Sequence, residues 1–159
     1  MRQALRSESS LQTDVNDGIG AVRKAYRTHL AKDTRAMFGD SLDLDSALQR
    51  AHPGQSRWDY LLGHSPSQQV LGLEPHSAKE DQVSTVIRKR RAAKQQLASH
   101  LKNGKRVTRW LWVASGKVQL ADTERARRRL DENGIEFVGK QVKEKHLPAV
   151  PPNRGRKRR

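Results

Sequence analysis

The segment Trp58 to His76, WDYLLGHSPSQQVLGLEPH, constrains the fold more than any other part of the chain. Two short apolar runs flank a polar link, GHSPSQ, of turn composition. Such runs read as a pair of strands, Arg57 to Leu62 and Gln69 to Glu74. Pro75 lacks a backbone N–H and is expected to end the second strand's ladder on one side. Each strand carries a carboxylate, Asp59 on the first and Glu74 on the second. Side chains alternate along a strand, so His76 shares a face with Glu74. Two acidic groups brought side by side on neighbouring strands form a hard-oxygen site for a divalent cation, Mg²⁺ or Mn²⁺.

The flanks supply the rest of a layer. Val15, Ile19, Val22, Tyr26, His29 and Leu30 recur at three- and four-residue spacing, which predicts a helix over roughly 11–37, weakened at its start by Gly18 and Gly20. Ser41 is placed to cap a short second helix, SLDLDSALQR, with Asp43 and Asp45 in its first turn. After the strand pair, Ser77 and Glu80 form a capping-box pattern ahead of a long helix, Ala78 to Leu101. Its apolar stripe is Val83, Val86, Ile87, Ala93, Leu97 and Leu101, and Arg88, Lys89, Arg91 and Gln95 are read as lying off it. VTRWLWVA, Val107 to Ala114, is rich in β-branched and aromatic residues and reads as a strand. Trp110 and Trp112 fall on one face of it, as core residues rather than base-stacking ones. A short extended piece (Lys117 to Leu120), a basic helix (Thr123 to Asn133) closed by Gly134, and a last strand (Ile135 to Val138) follow. The order predicts an α/β fold, a small mixed sheet flanked by helices, with the long helix crossing between strands.

A chain of 159 residues is enough for one domain with a real core. Residues 11–147 are expected to form it, with residues 1–10 frayed and 148–159, PAVPPNRGRKRR, a disordered basic tail. With no cysteine, disulfides and thiolate zinc sites are excluded. No apolar run approaches a membrane span and no signal-peptide pattern opens the chain, so a cytoplasmic location is the expectation.

The net charge of +15 is unevenly placed. Residues 1–76 hold nine Lys/Arg and nine Asp/Glu; residues 77–159 hold 23 and eight. Such asymmetry points to a polyanion, DNA or RNA, met by the second half. The expected phosphate contacts are Arg88, Lys89 and Arg91 on the long helix, Arg125, Arg128 and Arg129 on the basic helix, and Arg156, Lys157, Arg158 and Arg159 in the tail. An adaptor docking an acidic protein partner is the alternative from a different class.

Asp59 in DYLL, Glu74 and His76 in VLGLEPH, the long helix, and the strand RWLWVA from Arg109 together resemble the PD-(D/E)xK nuclease superfamily. The resemblance spans roughly residues 11–115. It implies a restriction-endonuclease-like core and metal-dependent phosphodiester hydrolysis, with Asp59 and Glu74 as metal ligands and Asp59, Glu74 and His76 as the catalytic set. A catalytically inactive, nucleic-acid-binding version of the same scaffold is the alternative. Two departures stand out. His76 occupies the place of the family's lysine, and no acid of the first segment, among Asp14, Asp17 and Asp33, aligns with the ligand often supplied there. Imidazole near neutrality serves as a cation, a base or a ligand. Lys79 or Lys89, on the following helix, is a candidate to replace the missing lysine. His64 is placed in the turn between the strands, bordering the same pocket.

Overall fold

The computed structural model describes residues 1–119, 124–150 and 152. Its centre is a six-stranded mixed sheet flanked by helices, with strands in sequential order. The elements are β1 (Asn16–Asp17), α1 (Lys32–Arg35), β2 (Phe38–Asp43), α2 (Leu44–Leu48), β3 (Tyr60–His64), β4 (Gln69–Lys79), α3 (Val83–Leu97), β5 (Val107–Gln119), α4 (Glu124–Glu132) and β6 (Ile135–Phe137). Strands β1 to β4 pair antiparallel, whereas β4 with β5 and β5 with β6 pair parallel. Parallel neighbours need a crossover, and α3 and α4 supply the two.

The sheet is buried on both faces, which explains the continuous apolar run of β5. Trp110, Trp112 and Ala114 point into one core with Trp58 ahead of β3, Leu61 and Val70 of the sheet, and Val83, Val86, Ala93 and Leu97 of α3. Leu111 and Val113 point into the other, with Tyr60, Leu62, Leu71 and Leu73. The two tryptophans of β5 are core residues, at 4% and 0% exposure. The segment after β6 covers the second face: Ala114 donates its N–H to Gly139 O at 2.7 Å, and Val142 and Leu147 are buried there.

Gly72 sits under a tryptophan pair. Trp58 and Trp110 meet edge to face with centroids 5.0 Å apart and planes at 83°. A Cβ on Gly72 would lie 2.7 Å from Trp110 Cε3 and 2.9 Å from Trp58 Nε1, so the position has room for hydrogen only.

Several sequence expectations are corrected. The helix over 11–37 is absent; 3₁₀ turns at Ser10–Asp14 and Lys24–His29, strand β1 and the four-residue α1 take its place. The regular apolar spacing serves two cores rather than one helix face. Leu11 and Val15 join the α3 side, and Val22 and Leu30 the opposite side. Gly18, at φ +55°, turns the chain after β1, and its N–H bonds Gly39 O at 2.8 Å.

Ser41 lies inside β2 and accepts from the Ala21 N–H at 3.0 Å. The cap of α2 is Asp43, whose Oδ1 accepts from the Ser46 N–H at 3.0 Å. Nor does Ser77 cap α3: pairing with β5 keeps β4 extended to Lys79, and a 3₁₀ turn at Glu80–Gln82 precedes the helix. The strand expected at 57–62 runs instead from Tyr60 to His64, leaving Asp59 just ahead of it. The expected piece at 117–120 is the continuation of β5 up to Gln119.

Pro75 acts on one side only, as expected. Pairing with β3 ends at Leu73, while pairing with β5 continues past Pro75. Residues 1–10 are docked rather than frayed: Leu5 is fully buried and bridges Leu101. The basic residues Arg156, Lys157, Arg158 and Arg159 fall outside the described residues. Among the described residues, no helix is long and apolar enough to cross a membrane.

Candidate functional site

Antiparallel pairing sets Tyr60 opposite Leu73, which brings Asp59 beside Glu74. Glu74 shares the alternation of Val70 and Ala78 along β4, and therefore faces the core beneath α3. Its carboxylate is fully buried, and burial of a charge requires partners. Oε2 accepts from the Asp59 backbone N–H at 2.9 Å. Oε1 contacts Lys89 Nζ and lies 3.5 Å from His76 Nδ1.

Of Lys79 and Lys89, Lys79 ends β4 and is exposed, whereas Lys89 reaches the two carboxylates. Its Nζ is 3.0 Å from Asp59 Oδ1 as well as in contact with Glu74. Because both carboxylates touch one nitrogen, their contacting oxygens lie within about 6 Å, two hydrogen-bond lengths. The reading of Lys89 as an outward phosphate contact is thus corrected. It continues the buried stripe Val86–Lys89–Ala93 at helical spacing and is directed into the protein. Arg57, two residues before Asp59, is engaged elsewhere, with Nε 2.8 Å from Asp45 Oδ1.

His76 completes the group. Its Nε2 is 2.8 Å from Gln82 Oε1, on the turn ahead of α3, and its carbonyl accepts from Trp112 Nε1–H at 3.2 Å. An amide oxygen at one ring nitrogen and a carboxylate at the other make both nitrogens donors, the pattern of an imidazolium. Gln82 carried no signal in the sequence. His64, by contrast, lies at the far end of β3 from Asp59 and packs against Phe38 on the other face, so it does not border this site.

The electrostatics follow from burial and mutual proximity. The Asp59 carboxyl is pushed up to about 6, by burial first and by the Glu74 charge second, with Lys89 pulling against both. For Lys89, burial opposes the charge, but Glu74 and Asp59 outweigh it and the pKa rises. His76 is also raised, chiefly by its hydrogen bond with Glu74 and against the effect of burial.

The donor set fits a hard divalent cation in part. Mg²⁺ is commonly held by one or two carboxylates, completed by waters and substrate phosphates. Asp59 and Glu74 meet that minimum, and the Lys89 ammonium already occupies the cationic place between them. Among the described residues, no group of three or more His, Asp or Glu gathers to hold a metal.

The expected phosphate contacts divide. Arg88, Arg91, Arg125 and Arg128 are exposed. Arg128 lies 3.5 Å from Glu124, one helical turn away, and Arg129 donates to Ser84 Oγ at 2.8 Å, tying α4 to α3. No family model, curated protein or solved structure matches the chain.

Proposed function

We propose that the chain binds nucleic acid and hydrolyses phosphodiesters with a divalent metal, at a site formed by Asp59, Glu74 and Lys89 on a restriction-endonuclease-like core. The observation that carries this reading is the sharing of one cationic nitrogen by two carboxylates, Glu74 on β4 and Asp59 just ahead of β3. The order of antiparallel β2, β3 and β4, a crossing helix and a parallel β5 supports it, as does the concentration of positive charge after residue 76.

Asp59 and Glu74 would hold the cation, Mg²⁺ or Mn²⁺. When bound, such an ion makes water more acidic and screens phosphate charge. Lys89 supplies a fixed ammonium beside the reacting phosphate, where it stabilises developing negative charge. The backbone N–H of Asp59 orients Glu74. His76 holds the other side of the same carboxylate and is a positioning residue here. The lysine of the resemblance is thus supplied from the helix rather than from the strand.

One observation favours a second reading, a nuclease-like protein that binds without cutting: Lys89 fills the place between the carboxylates. The two readings separate in one assay. The purified protein is incubated with supercoiled plasmid and Mg²⁺ or Mn²⁺, beside a Glu74→Gln variant. Cleavage by the first and not the second is expected. Absence of cleavage with either metal, together with salt-sensitive retention on DNA, overturns the catalytic reading and leaves the binding one.

A further inference from the structure

A second site lies on the other flank of α3. A cavity of about 390 Å³ opens between the C-terminal half of α3, the loop leading to β5, and the turn before β6. Arg6, Arg90, Lys94, Lys102, Lys105 and Arg106 line it, and no Asp or Glu does. Among the described residues, none of these six cations has a carboxylate within salt-bridge distance.

Two of the six are built into the wall. Arg6 is fixed by its Nε donating to Leu101 O at 2.9 Å. Arg90 lies over the Trp110 ring, 5.7 Å from its centroid, and its Nε is buried without an acceptor. Folding has therefore gathered like charges around one space and left a buried donor unpaired, and both cost free energy. An anion in the cavity relieves the gathering of like charge. The volume is within the usual range for a small-molecule site and exceeds what a single ion fills. Trp110 and Leu97 give part of the wall an apolar character, suited to a group attached to the anion.

We propose that this cavity is a phosphate-binding subsite that takes a backbone phosphodiester of a nucleic-acid strand. It is separate from the carboxylate group: Asp59, Glu74, His76 and Lys89 do not line it. Consecutive residues of α3 serve the two, Lys89 reaching the carboxylates and Arg90 the cavity. Along β5, Trp112 is level with Glu74 and Thr108 lies at the cavity, four residues apart. At about 3.3 Å per strand residue that is about 13 Å, or about four nucleotides at 3.4 Å each. A strand seated here is gripped upstream or downstream of the carboxylates. The nature of the phosphate's carrier rests on the nucleic-acid reading above; the presence of the site does not.

The test uses the full chain and a Lys94→Gln/Arg106→Gln double variant of two exposed residues. Each is titrated with a fluorescent single-stranded DNA 12-mer over a range of salt, and with inorganic pyrophosphate followed by backbone amide NMR shifts. The double variant is expected to bind the oligonucleotide about tenfold more weakly at about 0.1 M salt, with a log–log salt slope shallower by about 1.4. Pyrophosphate should shift the amides of residues 102–108 in the parent and not in the double variant. If only pyrophosphate binds, the site stands, its carrier is a free phosphate compound, and the nucleic-acid reading falls. If the double variant binds both probes as the parent does, the subsite is overturned.

Discussion

The ammonium of Lys89 lies 3.0 Å from Asp59 Oδ1 and also contacts Glu74, so one cation from α3 bridges the carboxylate of β4 and the one just ahead of β3. Removing one partner of a buried ion pair typically costs about 3–5 kcal/mol, because the other charge stays buried. Lys89→Met should lower the melting temperature by about 10 °C in metal-free buffer. It also vacates the cationic place. Millimolar Mn²⁺ should then raise the melting temperature of the variant more than that of the parent, since a ligand stabilises whatever state it binds. Scanning calorimetry with and without Mn²⁺ checks this, and equal metal responses would count against a shared cation place. Plasmid cleavage should be lost in the variant even as metal binding improves.

Asp59 offers the opposite sign. Its pKa is raised from 3.8 to about 6, so the fold favours the neutral carboxyl. That contribution to stability is full below pH 3.8, declines as pH rises through about 6, and is absent above it. An Asn at this position cannot ionise. Asp59→Asn should therefore stabilise the protein at pH 7.5 by about 1–3 kcal/mol while abolishing cleavage. The difference from the parent should close near pH 4. Chemical denaturation at the two pH values measures both, and a variant less stable than the parent at pH 7.5 would mark the group as a structural ion pair.

The strands and the crossing helix were legible because β-branched runs and a 3.6-residue stripe leave plain patterns, and the pairing of Asp59 with Glu74 follows from a short hairpin. The first 40 residues were not. Their apolar side chains at helical spacing are divided between the two faces of the sheet, an arrangement that local periodicity does not encode. The choice of Lys89 over Lys79 had a signal: it fills the gap between Val86 and Ala93 in the buried stripe. A charged residue at a core position of an amphipathic helix asks for a buried counter-charge, and Glu74 provides it. The basic cavity left no trace, because its cations come from three separated segments that only the fold assembles.

His76 should titrate above its ordinary 6.5. Glu74 is the main cause, so Glu74→Gln should bring the value down, leaving burial and the Lys89 charge opposed only by the Gln82 bond. The sign for stability follows. The contribution of imidazolium 76 is complete below pH 6.5 and is lost as pH rises through the raised value. An NMR titration of the imidazole Hε1 resonances, in the parent and in Glu74→Gln, tests the coupling. A His76 value unchanged by the substitution would dissociate the imidazole from the carboxylate.

Gly72 links the core to the site. A methyl group there would meet Trp110 Cε3 at 2.7 Å and Trp58 Nε1 at 2.9 Å, and neither indole has a flexible end to withdraw. Overpacking of this kind costs about 1–3 kcal/mol. Gly72→Ala should lower the melting temperature by about 3–10 °C, since a protein of this size loses about 2–4 °C for each kcal/mol. Two of the three tryptophans form the pair that must move, so the intrinsic fluorescence should shift as well. Trp58 immediately precedes Asp59, whose N–H holds Glu74, and displacing the indole tilts that peptide. Cleavage should therefore fall further than the loss of folded protein explains, measured at a temperature where the variant is fully folded. A variant with parental melting temperature and fluorescence would show that the sheet relaxes around the methyl group and that the tryptophan pair does not set the position of Asp59.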